Sequence, residues 1–454
     1  MVQSVSKYRK NHTEVRQITF NPQGPGVVRI HLIPPRNTEK GKVESVVILN
    51  GQYVIPLGYS WSILLECFMD QLESHAGKTI TIEELSTIHS AALKDAKKVF
   101  PLIPTSKLKS DLHLIINTLC DIAYGHVPSV NVGGMSIREY SKYMSAPHRI
   151  DLLVSPMTVN GCWHCNQKCI HCYAANQEYS NHKALSTDEW KKVIDTCREL
   201  GIPQLTFTGG EPTLREDLPE LIKYSRWFVT RVNTNGLKLT KEYCKKLFDS
   251  ELDSIQVTLY SHEAKIHDEL VGHVGGFEKT INGIKNAIEA GLDVSVNTPL
   301  CTLNKDYSKL LQYLCKLGVR YVSCSGLILT GNATTDASKK TQLSSDELEK
   351  ILSDATFFCS MNDMEISFTS PGWLDPVVFQ KYTLNIPSCG ACLSNMAIAP
   401  DGEVIPCQSW LSEGLGNIQN TSWNEIWNHP LAKKLQQMSD DEAINCPFRA
   451  MNKE

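Results

Sequence analysis

Between about residues 148 and 335 the hydrophobic pattern keeps switching period. Segments of strand length (IDLLVSPM, QLTFT, FVTRVNTNG, SIQVTLYS, DVSVNTPL, RYVSCSG) are separated by segments with apolar positions at helical spacing. Among the latter are STDEWKKVIDTCRELG, DLPELIKYSRWF, FEKTINGIKNAIEAG and YSKLLQYLCKLG. The first helical segment marks its own ends: Ser186 is an N-cap with Glu189 three positions on, and Gly201 follows the last turn. Trp190, Val193, Ile194, Cys197 and Leu200 share its apolar face. About six alternations with short connections predict βα units and a parallel sheet, barrel-like or doubly wound. Either architecture puts the chemistry at the carboxyl ends of the strands.

The flanking regions read differently. Residues 1–145 begin with short strands (VVRIHLIPP, ESVVILNGQYVIPLG) and an Asn50–Gly51 turn, followed by helices that include SWSILLECFMDQL. A Thr81-x-x-Glu84 start resembles a capping box. This order predicts a small α+β, winged-helix-like module. Residues 336–384 read as a linking helix, SSDELEKILSDATFF, plus irregular chain. In 385–454, MAIAPDGEVIPC reads as a hairpin turning at Asp401–Gly402, with a helix pair, TSWNEIWNHPLAKKLQQM, behind it.

Composition changes the picture at one point only. The 454 residues are 42% hydrophobic and 21% charged, with a net charge of −4, so the chain is globular and a nucleic-acid partner is disfavoured. MVQSVSKYRKNHTEV lacks a signal-peptide core and no 18 consecutive apolar residues occur, so no membrane association and a cytoplasmic location are expected. The outlier is cysteine, at 16, which in a reducing compartment points to metal or redox chemistry. Eight cysteines are scattered singly and read as small buried apolar residues. The others cluster in two groups.

The first group is GCWHCNQKCIHCYA, directly after the first strand of the regular region. Cys165-x3-Cys169-x2-Cys172 puts three thiolates on one compact loop. Soft sulfur ligands suit zinc and iron–sulfur equally, and with Cys162 as a fourth ligand a closed zinc site is an equal alternative on spacing alone. Taken together, CNQKCIHCY, then GGEP after the second strand, then TNG after the third resemble the radical S-adenosylmethionine (SAM) superfamily, with His171 at the usually aromatic position of its signature. The resemblance implies a partial (β/α)6 TIM-like barrel over 148–335. It implies that Cys165, Cys169 and Cys172 hold a [4Fe–4S] cluster whose free iron binds SAM, with Cys162 a bystander. It also implies that the Gly209, Gly210, Glu211, Pro212 loop meets the methionyl amine, and that Asn235, Thr258 and Asn297 at later strand ends meet ribose or carboxylate. A one-electron reductant such as flavodoxin or ferredoxin is implied as partner.

In the second group, Cys389-x2-Cys392, then Gly402-x4-Cys407, then Cys446 resemble the SPASM/Twitch extension of that superfamily. This implies at least one auxiliary [4Fe–4S] cluster; a zinc ribbon is the alternative. SPASM-type enzymes mostly modify peptides, and the N-terminal region resembles the PqqD-like module that captures a leader peptide by strand addition. The expected function is hydrogen abstraction from a precursor peptide to install a thioether or carbon cross-link, an epimerisation or an oxidation. The alternatives are a radical enzyme of small metabolites and a non-catalytic zinc-binding interaction protein. Tyr260, His262, Trp373 and Asp375 read as packing or surface residues, with a cavity role as the alternative.

Overall fold

A computed structural model describes residues 15–20, 28–38, 41–75, 78–136, 139–140, 143–441 and 445–447. The opening stretch up to residue 14 and the tail from 448 lie outside the described residues. The chain divides into two compact units, one of residues up to Ala146 together with Cys197–Pro203, the other of Pro147–Thr196 and Gln204 onward.

The first unit holds a four-stranded antiparallel sheet. Strands β1 (Arg16–Phe20) and β2 (Val28–Ile33) pair, a short ribbon of β3 (Arg36–Thr38) and β4 (Gly41–Val43) follows, and β5 (Ser45–Leu49) and β6 (Tyr53–Leu57) complete the order β1-β2-β5-β6. The Asn50–Gly51 turn joins β5 to β6 as the pattern predicts. Helices Tyr59–Glu73, Ile82–Val99 and Thr105–Ala123 follow. Leu32, Val47 and Leu49 from the sheet bury against Ile63, Leu64, Phe68, Ala92 and Leu112 from the helices. Thr81 and Glu84 form the expected capping box, worth about 1 kcal/mol. The small module is therefore antiparallel sheet plus helices.

The second unit is a mixed α/β domain built on a parallel sheet. Strand β7 (Arg149–Ser155) opens it. A two-residue-per-strand ribbon, β8 (Thr158–Val159) with β9 (Cys162–Trp163), leads into the cysteine loop. Strands β10 (Gln204–Gly209), β11 (Val229–Thr234), β12 (Ser254–Thr258), β13 (Asp293–Pro299) and β14 (Tyr321–Ser325) then pair in parallel, in chain order. Helix Thr187–Glu199 starts on the predicted cap: Ser186 N donates to Glu189 Oε2 (2.8 Å) and Glu189 N donates to Ser186 Oγ (3.3 Å).

The sheet runs past residue 335. After helix Ser345–Met361, strand β15 (Glu365–Phe368) pairs with β14, so the segment read as a link supplies a seventh parallel strand. At the opposite edge β16 (Asn395–Ile398) pairs in parallel with β7, and β17 (Val404–Ile405) folds back on β16 as the predicted hairpin. The result is an open, nine-stranded partial barrel with the cysteine-rich C-terminal region on the edge of its first strand. No helix among the described residues is long and apolar enough to cross a membrane.

The inner face of this barrel is unusual. TIM-barrel interiors are filled by branched apolar side chains. Here the outward residues Val232, Ile255, Val257 and Val296 are fully buried. The inward Arg231, Asn233, Gln256, Thr258 and Asn297 alternate with them and line open space.

Candidate functional site

That space is a cavity of about 640 Å³, wholly within the second unit. Both cysteine groups line it: Cys165, Cys169 and Cys172 from the loop after β9, and Cys389, Cys407 and Cys446 from the C-terminal region. Cys392 is fully buried behind them. Cys162 is exposed on the β8–β9 ribbon and outside the cavity.

The first cysteine loop has no regular secondary structure, so its backbone groups must find partners elsewhere. Lys168 N and Ile170 N donate to the carbonyls of Val271 and Leu270 at the end of helix Ala264–Val271 (2.9 and 3.0 Å). Asn332 N donates to Cys172 O (2.9 Å), Asn332 Nδ2 to Cys169 O (3.1 Å) and Ser338 Oγ to Ile170 O (2.8 Å). Trp163 Nε1 closes the loop on Gln167 O (2.8 Å). His171 lines the cavity with the cysteines, its Nε2 lies 2.7 Å from Thr341 Oγ1, and burial pushes its pKa down to about 4.

Burial pushes the Cys165 thiol up to about 12, with Glu211 and Cys172 adding to the rise. Cys169 is raised further, by burial first and then by Cys172 and Cys165. Three clustered thiols that resist ionisation on their own fit a cationic metal centre, whose charge would offset the desolvation of the thiolates. Cys389, Cys392 and Cys407 behave alike. Burial pushes Cys407 up to about 12, with Cys389 and Cys446 contributing, while Cys392 is raised by burial and then by Cys407 and Cys389. All four share one neighbourhood. Among the described residues no three His, Cys, Asp or Glu side chains converge closely enough to hold a single metal ion.

The GGEP loop follows β10. Gly209 has φ +130°, and a Cβ there would lie 2.3 Å from Ser155 O, so only glycine fits where β10 closes on β7. The carbonyl of Gly210 accepts from Cys165 Sγ (3.3 Å), which ties the loop to the cysteines. Glu211 is 1% exposed. Its Oε1 accepts from Thr213 N (3.0 Å), Thr213 Oγ1 (2.5 Å) and Thr234 Oγ1 (2.7 Å), and its Oε2 from Asn235 N (2.8 Å). Burial raises its pKa, and these four donors oppose the rise. Both oxygens are thus committed to protein donors. Pro212 starts the short turn Pro212–Leu214 that Glu211 caps, and does not line the cavity.

At the end of β11, Asn235 Nδ2 donates to Asn166 Oδ1 (2.6 Å) beside Cys165. The cysteine loop, the GGEP loop and the TNG turn therefore form one hydrogen-bonded assembly. Thr258 and Asn297 line the cavity from β12 and β13, Asn297 Oδ1 accepting from Ser323 Oγ (2.8 Å). Tyr260 and Trp373 also line it, on an apolar wall with Leu327 and Phe368. His262 and Asp375 do not; Asp375 caps helix Pro376–Lys381. The pattern reading missed the polar floor, Arg149, Asp151, Thr206, Arg231, Asn233 and Gln256. The alternation in TRVNT, SIQVT and DVSVN carries its signal, because parallel strands covered on both faces read as continuous apolar runs.

The radical SAM superfamily profile matches residues 163–314, and that of the SPASM iron–sulfur cluster-binding domain matches residues 389–447. An AdoMet-dependent heme synthase of Oleidesulfovibrio alaskensis is 29% identical over 281 residues, which cover 58% of this chain and 71% of that protein. The structure of Streptococcus suis SuiB bound to precursor peptide SuiA is similar with a TM-score of 0.58 at 15% identity, over 90% of this chain and 93% of that one. That of anSMEcpe with bound AdoMet and a Kp18Cys peptide is similar with a TM-score of 0.52 at 16% identity, over 66% and 86% of the two chains. At these identities the structural likeness is one of fold.

Proposed function

We propose that this chain, which carries a radical SAM domain followed by a SPASM domain, abstracts hydrogen from a peptide and so installs a modification on it. Those domains imply a SAM-binding [4Fe–4S] cluster, auxiliary iron–sulfur clusters and SAM, which removes the even choice between zinc and iron left by cysteine spacing. The observation that carries the reading is one cavity lined by both cysteine groups.

In this reading Cys165, Cys169 and Cys172 would hold the first cluster, beside which SAM would bind. Cys389, Cys392, Cys407 and Cys446 hold an auxiliary one. When bound and reduced, the first cluster supplies the electron that cleaves SAM to a 5′-deoxyadenosyl radical. Gly209 and Gly210 let the methionyl amine approach the backbone. Glu211 positions that loop through its four donors, and Asn235 holds the loop to the cysteines through Asn166. Thr258 and Asn297 face ribose or carboxylate. The apolar wall of Tyr260, Leu327, Phe368 and Trp373 excludes water from the reacting side chain.

A peptide is favoured over a metabolite by the likeness to SuiB with its precursor peptide, whose coverage exceeds what residues after Ala146 alone supply. The N-terminal unit then serves as the peptide-recognition module. Among the described residues its β1 is an edge strand, and the other edge, β6, is bridged at Val54 by Met135. Strand addition at β1 would capture a leader. A flavodoxin or ferredoxin is the electron donor in this reading.

The heme synthase relative supports a second reading, turnover of a small molecule in the same cavity. Anaerobic incubation of reconstituted enzyme with SAM, a reductant and the precursor peptide encoded beside it separates the two. The expected result is 5′-deoxyadenosine together with a change in peptide mass. An unchanged peptide beside a consumed small molecule refutes the peptide reading.

A further inference from the structure

The floor of the cavity holds charges that the SAM chemistry at the rim does not use. Strand register sets Asp151, Thr206, Arg231, Ser254 and Asp293 side by side on one level. Arg149 lies two residues before Asp151 on β7, its Nε 3.1 Å from Asp151 Oδ1. Asp151 is 1% exposed, and its Oδ2 has no hydrogen-bond partner. Arg231 donates through Nε to Ser254 Oγ (3.3 Å) and makes no ion pair among the described residues. Burial and the nearby Arg149 lower its pKa; Asp151 and Asp293 act in the opposite sense. Asp293 is exposed at the start of β13 and does not line the cavity.

Two guanidinium groups and one carboxylate thus face this floor. A desolvated guanidinium without a counter-ion is costly, and its planar fork matches a carboxylate in bidentate geometry. The free oxygen of Asp151 beside it accepts from an N–H and repels a dianion, which selects against phosphate. A carboxylate with a neighbouring amide or amine fits both demands. Arg231 precedes Asn235 by four residues, so the floor lies about 13 Å below the rim, a distance that an extended segment of roughly four residues spans.

We propose that Arg231, with Arg149 and Asp151, forms a carboxylate-binding site at the cavity floor that anchors the substrate and sets which of its groups reaches the rim. This rests on the reading of the cavity as the substrate site. The carboxylate is either an acidic side chain or a chain terminus, and the two are separable by experiment.

The test is calorimetric titration of anaerobically reconstituted enzyme with SAM bound. One probe pair is N-acetyl-aspartate α-amide against N-acetyl-asparagine amide; the other is N-acetyl-alanine against N-acetyl-alanine amide. The expected result is that at least one acid binds about tenfold or more tighter than its amide, as a charge-assisted contact requires. The first pair reports a side-chain source and the second a terminus. Arg231→Met should abolish the preference and Arg231→Lys retain part of it. Asn233→Asp, isosteric and two residues along the same face, should abolish it by supplying an internal counter-ion, and keeps the test decisive if Arg231→Met does not fold. SAM affinity should be unchanged in all three.

Equal binding of acids and amides by the wild type overturns the proposal. So does an acid preference that survives both Arg231→Met and Asn233→Asp, or a loss of SAM affinity in step with it. Competition by chloride or inorganic phosphate at the acid's own concentration reduces the site to an inorganic-ion site and also overturns it. Failure of the wild type to bind SAM overturns instead the reading on which the proposal rests.

Discussion

Replacing Glu211 by glutamine isolates the joint between the GGEP loop and the TNG turn. The change is isosteric, so packing is kept while four hydrogen bonds are altered. The three donated to Oε1 lose charge assistance, at about 1 kcal/mol each from the difference between charged and neutral acceptors. The amide nitrogen that replaces Oε2 faces Asn235 N–H, donor against donor, and leaves a buried N–H unpaired for about 1–3 kcal/mol more. Relief of a buried charge offsets part of this, leaving a net loss of roughly 2–4 kcal/mol at the loop. Because Asn235 also holds Asn166, the loss falls on the cysteine loop as well. The assay is SAM binding by equilibrium dialysis on wild type and Glu211→Gln matched for iron content, with thermal unfolding of each alongside. SAM affinity should fall at least about tenfold, within the range those energies allow, with iron content retained. Wild-type affinity together with a wild-type thermal midpoint refutes the assigned positioning role.

Gly272 ends helix Ala264–Val271 at φ +60°, and a Cβ there would lie 2.6 Å from Lys168 O in the cysteine loop. Gly272→Ala should cost about 1–2 kcal/mol in backbone strain before the clash is relieved; unchanged iron retention on gel filtration contradicts this. His267 is fully buried, accepts from Tyr260 N through Nδ1 (3.2 Å), and is pushed by burial down to a pKa of about 4. Its folded pKa lies below the unfolded value, so the unfolded chain takes up the proton first as pH falls. Stability is unaffected by this group above about pH 6.5 and should drop by about 2 kcal/mol between pH 7 and 5. Chemical denaturation at both pH values should show a smaller drop for His267→Asn. Cys162→Ser should keep the charge-transfer absorbance and iron of the wild type, and Cys165→Ser should lose iron and SAM binding. Iron loss on Cys162→Ser would assign the exposed thiol a ligand role after all.

Much of this fold and site can be read locally. Ser186 with Glu189, Thr81 with Glu84 and the Asn50–Gly51 turn are decided within four residues, and the structure has each. The order of cysteine loop, GGEP and TNG also puts their meeting at strand ends on the page, because parallel βα units bring those ends together. What escaped depends on distant partners. EISF alternates polar and apolar residues over only four positions, too short a run to stand out as a strand by itself, and it forms β15 along the edge that β14 offers. Glu211 reads as a ligand-facing group until its four donors are seen. Trp373 and Asp375 are neighbours in sequence, yet one lines the cavity and the other caps a helix.

The pairing of β16 with β7 joins residues about 250 positions apart, Ala397 opposite Asp151. During synthesis the edge of β7 stays bare until the last part of the chain emerges from the ribosome. A chain cut short before residue 389 would leave that edge open to pair with another copy, an aggregation template. The two halves of the catalytic unit are thus not modular in the sense of separable parts. Expressing the barrel without its cysteine-rich extension should give insoluble protein, whatever the quality of the core.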